Sequence, residues 1–157
     1  EPDVMQRPPR NPREEILSER NMLHLTLVGV FMAAVTLSLF LHYLGPDHSL
    51  WQQNLPKAET VAFTVLVLLQ FVHAFNSRSR RNSLFSIGVF KNPMLWLAVL
   101  TGFAAQVAIV QYSALESVFE TVPLELADWL VITASALSIF VVYEIWKLFK
   151  RAAPAVA

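Results

Sequence analysis

Residues 59–93 read ETVAFTVLVLLQFVHAFNSRSRRNSLFSIGVFKNP, and their reading decides the fold. From Thr60 to Phe75 the run is apolar and carries no Asp, Glu, Lys or Arg. It then meets a basic turn, Ser77-Arg78-Ser79-Arg80-Arg81. A short amphipathic run follows and delivers Pro93, a residue suited to a first helical position, to the next apolar segment. A charge-free run that ends on clustered arginines reads as a transmembrane helix arriving at the cytoplasmic face. One amide, Gln70, interrupts it about ten residues in, where a bilayer is expected to tolerate amides least.

Working outward, the same pattern recurs. Residues 23–44 form a first span of about the 20 residues that a hydrocarbon core of roughly 30 Å requires. Gly45-Pro46-Asp47 stops it, and residues 45–59 read as a polar loop with Trp51 as an interfacial anchor. Further spans are expected at 60–76, 93–112 and 126–149, with Trp129 and Trp146 marking the two interfaces of the last. Residues 1–22 form a cytoplasmic arm rich in Pro and Arg, read as ordered, and 150–157 a short tail. The fold class is therefore an all-α membrane protein, a four-transmembrane-helix bundle.

Composition agrees. The chain has 157 residues, 55% hydrophobic and only 15% charged, with mean hydropathy +0.47; a soluble domain carries roughly 25% charge. The absence of cysteine excludes a disulfide framework and thiolate metal sites. The first residue is Glu and no leader pattern precedes the first span, so the chain reads as an excerpt of something longer or a processed product.

Orientation follows from Lys and Arg counted between spans: four in the arm, one in 45–59, four in 76–92, none in 113–128 and three at the C-terminal end. Both termini and the 76–92 segment are expected in the cytoplasm. The 113–128 segment, with Glu116, Glu120, Glu125 and Asp128, is expected outside.

The intramembrane polar groups are the candidate functional residues. A period of 3.6 groups Phe63, Leu66, His73 and Ser77 with Gln70, a face expected to look toward other helices or a water-lined cavity. Gln70 is either an interhelical hydrogen-bonding group or a neutral oxygen ligand for a hard cation. Spacing favours the first, because one amide is not a cation site. His73 reads as a hydrogen-bonding residue, since no second His or Cys lies at ligand spacing. Asn76, Gln106 and Gln111 read as packing groups. Glu144 pairs most simply with Lys147, three residues on, at the cytoplasmic boundary; a proton or ion pathway is the alternative. Small residues recur at four-residue spacing at Gly29/Ala33, Ala98/Gly102 and Ala134/Ser138, which fits close helix packing. No Gly-rich phosphate loop, Cys/His nucleophile pair or carboxylate dyad is present. The basic turn suits anionic headgroups or an acidic partner. Nucleic-acid binding is a poor reading, because membrane spans interrupt the basic residues.

One set of residues carries a family resemblance. It runs from Met5-Gln6-Arg7-Pro8-Pro9-Arg10-Asn11-Pro12 through Thr64, Gln70, Phe75-Asn76-Ser77-Arg78-Ser79, Ser83-Leu84-Phe85 and Gly88. It continues through Asn92, Gln106, Tyr112, Phe119-x-Thr121-x-Pro123-Leu124 and Trp129 to Glu144-x-x-Lys147. In order and spacing this resembles the C-terminal membrane region, the last four of ten helices, of P-type cation-transporting ATPases of the calcium-pump type. The resemblance implies that the bilayer and the remaining helices and cytoplasmic domains of a parent pump are its partners. Ca2+, Mg2+ and ATP are implied for that complete pump, and no cofactor for this chain. Where reticulum-type pumps hold a calcium-ligating Glu in the eighth helix, this sequence has Gln70, as plasma-membrane and secretory-pathway pumps do. That implies a single-ion pump, with Gln70 bordering the vacated second site. Pro8, Pro9 and Arg10 look like the loop coupling the ion site to the phosphorylation domain. The phosphorylated Asp motif and the nucleotide domain lie outside the sequence, and sodium- and proton-exchanging relatives carry similar tails. The competing expectation is a stand-alone four-span protein that stabilises a partner.

Overall fold

The computed structural model describes residues 19–78, 86 and 88–152, and their side chains from 22 to 147 within those ranges. Pro8, Pro9 and Arg10, the rest of the arm to residue 18, and Ser79 to Arg81 of the basic turn lie outside the described residues. Among the described residues five α-helices follow one another: α1 (Glu19–Leu44), α2 (Trp51–Asn76), α3 (Pro93–Gln111), α4 (Ser113–Phe119) and α5 (Leu126–Ala152). Short 3-10 turns at His48–Leu50 and Val89–Lys91 lead into α2 and α3. No strand occurs among the described residues. Four helical stretches, 22–44, 48–76, 93–111 and 126–147, are long and apolar enough to cross a membrane. The all-α, four-span architecture is thus present.

The second span is longer than its hydropathy indicates. Residues read as a polar loop form its first turns, because the chain reverses within three residues. Gly45 takes a positive φ of 79°, which a side chain would disfavour. Asp47 Oδ1 then accepts hydrogen bonds from Ser49 N (2.9 Å) and Ser49 Oγ (2.8 Å), which hold its carboxyl below the usual carboxylate range. Two donors from α2 satisfy carbonyls left open at the end of α1: Asn54 Nδ2 reaches Leu44 O and Trp51 Nε1 reaches Gly45 O, each at 3.0 Å. Pro56 sits inside α2 and removes one ladder donor. The last helix continues to Ala152, beyond the stretch to residue 147 that is apolar enough to cross.

α2 is the axis of the bundle, with α1 and α5 packed along it and α3 touching it more briefly. Val61, Val65 and Leu69 of α2 are fully buried against Met32 of α1 and Ile132 and Ile139 of α5. Lys57 meets Asp128 near the starts of α2 and α5, and His73 meets Tyr143 near their ends, so the two helices run parallel. α3 is seated by Gly102: a Cβ there would lie 2.6 Å from Phe71 Cζ. The other small residues do not play this part. Gly29 has nothing within 4 Å of where its Cβ would be, and Ala33, Ala98 and Ala134 are exposed. Leu25, Leu97 and Leu130 point outward at 49%, 60% and 64% exposure, an apolar outer surface of the kind a spanning bundle carries.

Candidate functional site: polar groups within the spans

Because α2 begins at Trp51, Gln70 is the twentieth of its 26 residues, and six residues before its end. At 1.5 Å per residue that places it about 9 Å from the helix end, not at mid-depth as the shorter span implied. Its stripe is as the helical period groups it. Phe63 (38%) and Leu66 (39%) are exposed with Gln70 and Ser77, and His73 is partly buried. The stripe does not look into these four helices, however. The opposite side of α2, Val61, Val65 and Leu68, faces the core. Gln70 has no hydrogen-bond partner among the described residues.

The other amides are used differently. Gln106 of α3 is buried (3%) and its Nε2 donates to Thr64 Oγ1 of α2 at 3.0 Å. One turn earlier on α2, Thr60 Oγ1 donates to Pro56 O (2.8 Å) and accepts from Val122 N (3.0 Å). The 120–125 segment is fastened again by Gln111 Nε2 to Leu124 O (2.6 Å) and Thr121 Oγ1 to Ile109 O (2.8 Å). Thus Thr60 and Thr64 tie α2 to the α3 side, while Gln70 stays open.

At the late ends of α2 and α5, Lys147 Nζ lies 3.3 Å from Glu144 Oε1. The pair is not a surface pair: Lys147 is only 2% exposed. Asn76 is 1% exposed, and among the described residues neither its Oδ1 nor its Nδ2 has a partner. Likewise His73 Nδ1 is buried without a partner among them, and its Nε2 is 3.4 Å from Ser77 Oγ. Among the described residues no cluster of three or more His, Cys, Asp or Glu could hold a metal ion. Gln70, a single amide oxygen, falls far short of the six to eight oxygens calcium takes.

The strongest polar centre was not among the candidates. Asp128, 5% exposed, accepts from Tyr43 Oη of α1 at 2.9 Å through Oδ1. Its Oδ2 is 2.9 Å from Lys57 Nζ of α2 and accepts from Glu125 N at 3.0 Å. Lys57 Nζ also stands 5.5 Å from the Tyr43 ring centroid. The last of these bonds is a local signal: a side chain three residues into a helix reaching back to the capping residue's N–H, written here as Glu125-Leu126-Ala127-Asp128. The other bonds join residues far apart in sequence, which no spacing announces.

Comparison with known proteins fits this geometry. Residues 1–149 match the family model described as cation transporting ATPase, C-terminus. Calcium-transporting ATPase 1 of Bacillus cereus is 36% identical over 96% of this chain and 18% of its own length. Calcium-transporting ATPase of Bacillus subtilis is 34% identical over 89% of this chain and 15% of its own length. Calcium-transporting ATPase type 2C member 2 of Rattus norvegicus is 29% identical over 95% and 15%. The chain spans less than a fifth of the length of these relatives. With a family match from residue 1 to residue 149 and four helices long and apolar enough to cross a bilayer, the chain belongs to the C-terminal region family of the cation-transporting ATPases.

Proposed function

We propose that this chain is the membrane support bundle of a calcium-transporting P-type ATPase, scaffolding the ion-binding helices and bordering the ion path through Gln70. The observation that carries this is the open Gln70 stripe on the axial helix. An unpaired amide inside a span costs on the order of 1–3 kcal/mol if it faces hydrocarbon. In an assembled membrane protein that face is covered by further helices or by a water-lined path. The opposite face of α2 is buried against α1 and α5, as a scaffold requires.

Calcium is the transported cargo in this proposal, supported by the names of the relatives. Gln70 contributes one neutral oxygen at the edge of the path, and other helices of the pump supply the remaining ligands. Both termini lie in the cytoplasm, supported by the alternation of Lys and Arg between spans. Pro8, Pro9 and Arg10 couple the bundle to the phosphorylation domain, where the complete pump uses ATP and Mg2+.

The test is calcium uptake by the complete pump. Gln70→Ala is expected to lower apparent calcium affinity several-fold, and Gln70→Glu to change affinity or the ions moved per cycle. Unchanged affinity and stoichiometry in both variants would leave Gln70 as a helix-packing group and overturn the ion-path part of the proposal.

A further inference from the structure

α1 and α5 are joined at both ends and part between them. At one end Tyr43 Oη bonds Asp128. At the other, Tyr143 Oη and His24 Nε2 are 3.2 Å apart, and the His24 and Trp146 rings stack at 4.7 Å. Next to this second junction is a cavity of about 160 Å³, walled by Val28 and Phe31 of α1 and Ile139 and Val142 of α5. Its rim includes Leu27, 59% exposed, and Val142, 45% exposed. The opening therefore lies in the side of two candidate spans, not at their ends.

Three features of this gap point to one occupant. Its lining is mostly apolar, and an apolar hollow of about this size favours an apolar occupant over water. Its mouth opens in the side of the two candidate spans, and within a bilayer acyl chains are the medium at that depth. Among the described residues its polar closure, His24 with Tyr143 and Trp146, stands at one end. His24 is three residues into the first span, and Trp146 one residue before the end of the last. Rings of this kind sit at headgroup depth. A polar end at the interface and an apolar slot running inward match an amphiphile standing along the bilayer normal. We propose that the α1–α5 groove is a binding site for one acyl chain of a bilayer phospholipid, with its ester and headgroup region beside His24 and Trp146. The proposal depends on the chain spanning a membrane and is independent of the ion-path role of Gln70.

The experiment uses the complete protein in phosphatidylcholine nanodiscs doped with phosphatidylcholine bearing a diazirine midway along one acyl chain. After photolysis, labelled residues are mapped by mass spectrometry. Labelling at Leu27, Val28 and Val142 is expected to exceed that at the lipid-facing Leu97 and Leu100 of α3 several-fold. It should saturate while the probe is still a minor lipid, whereas labelling on α3 should rise in proportion to probe. Val28→Trp, which fills the slot, is expected to bring groove labelling down to the α3 level and leave α3 labelling unchanged, which also reports an intact fold. Uniform, unsaturable labelling in the wild type would overturn the proposal, as would enrichment that survives Val28→Trp. Groove labelling below the α3 level would also overturn it, by showing that a protein segment covers the slot.

Discussion

At the Asp128 end of the α1–α2–α5 core, a buried carboxylate meets a tyrosine, a lysine and a backbone N–H, all within 3.0 Å. At the Lys147 end the same three helices bring together a buried asparagine and a histidine nitrogen that have no partner among the described residues, and an apolar slot. One end is closed around a single carboxylate; at the other, among the described residues, the His24–Tyr143 and Glu144–Lys147 contacts stand beside buried polar atoms that none of those residues pairs.

That contrast is testable by substitution, reading thermal unfolding of the purified protein in detergent. Asp128→Ala should have the largest effect, because it strands Lys57, Tyr43 Oη and Glu125 N together. A loss of about 2–4 kcal/mol is expected, discounted from a fully buried pair because Lys57 is 40% exposed. Replacing Lys57 and Asp128 together by Met and Leu should recover part of it. A loss below that for Gln106→Leu would break the idea that this end is fixed.

Gly102→Ala is expected to cost about 1–3 kcal/mol, since its new methyl group meets the Phe71 ring. Phe71→Leu in the same protein should relieve most of that cost, and failure to do so would place the strain elsewhere. Gln106→Leu removes the hydrogen bond to Thr64 and should cost about 0.6–2 kcal/mol, the range for interhelical bonds in membranes. Asn76→Leu should be nearly neutral or slightly stabilising, because no bond within the described chain is lost and an unpaired amide is removed. If Asn76→Leu destabilised as much as Asp128→Ala, the two ends would not differ in kind.

The four spans were legible because hydropathy integrates over twenty residues and needs no tertiary knowledge. The start of α2 was not. Gln52, Gln53, Asn54 and Lys57 read as loop by polarity, yet they are helical because Trp51 and Asn54 bond back to the end of α1. The helical period placed Phe63, Leu66 and Gln70 on one stripe, but could not say which way the stripe faces. An inward amide is a rule for a finished bundle, and within this chain the core lies on the other side of α2. Asp128 was seen only as one acidic residue of an outer segment. Its capping spacing with Glu125 was readable, whereas its pairing with Tyr43 and Lys57 depends on α5 returning parallel to α2. The Gly102 contact was among the small-residue pairs, but nothing in four-residue spacing distinguished it from Gly29, which meets no neighbour.

The parallel course of α2 and α5 has a consequence for how the protein is made. Lys57 and Tyr43 leave the ribosome well before Asp128 does, so the early helices enter lipid with an ammonium group that lacks its counter-ion. The knot can tighten only after the final helix arrives, and until then the nascent hairpin of α1 and α2 must keep Lys57 near the aqueous boundary.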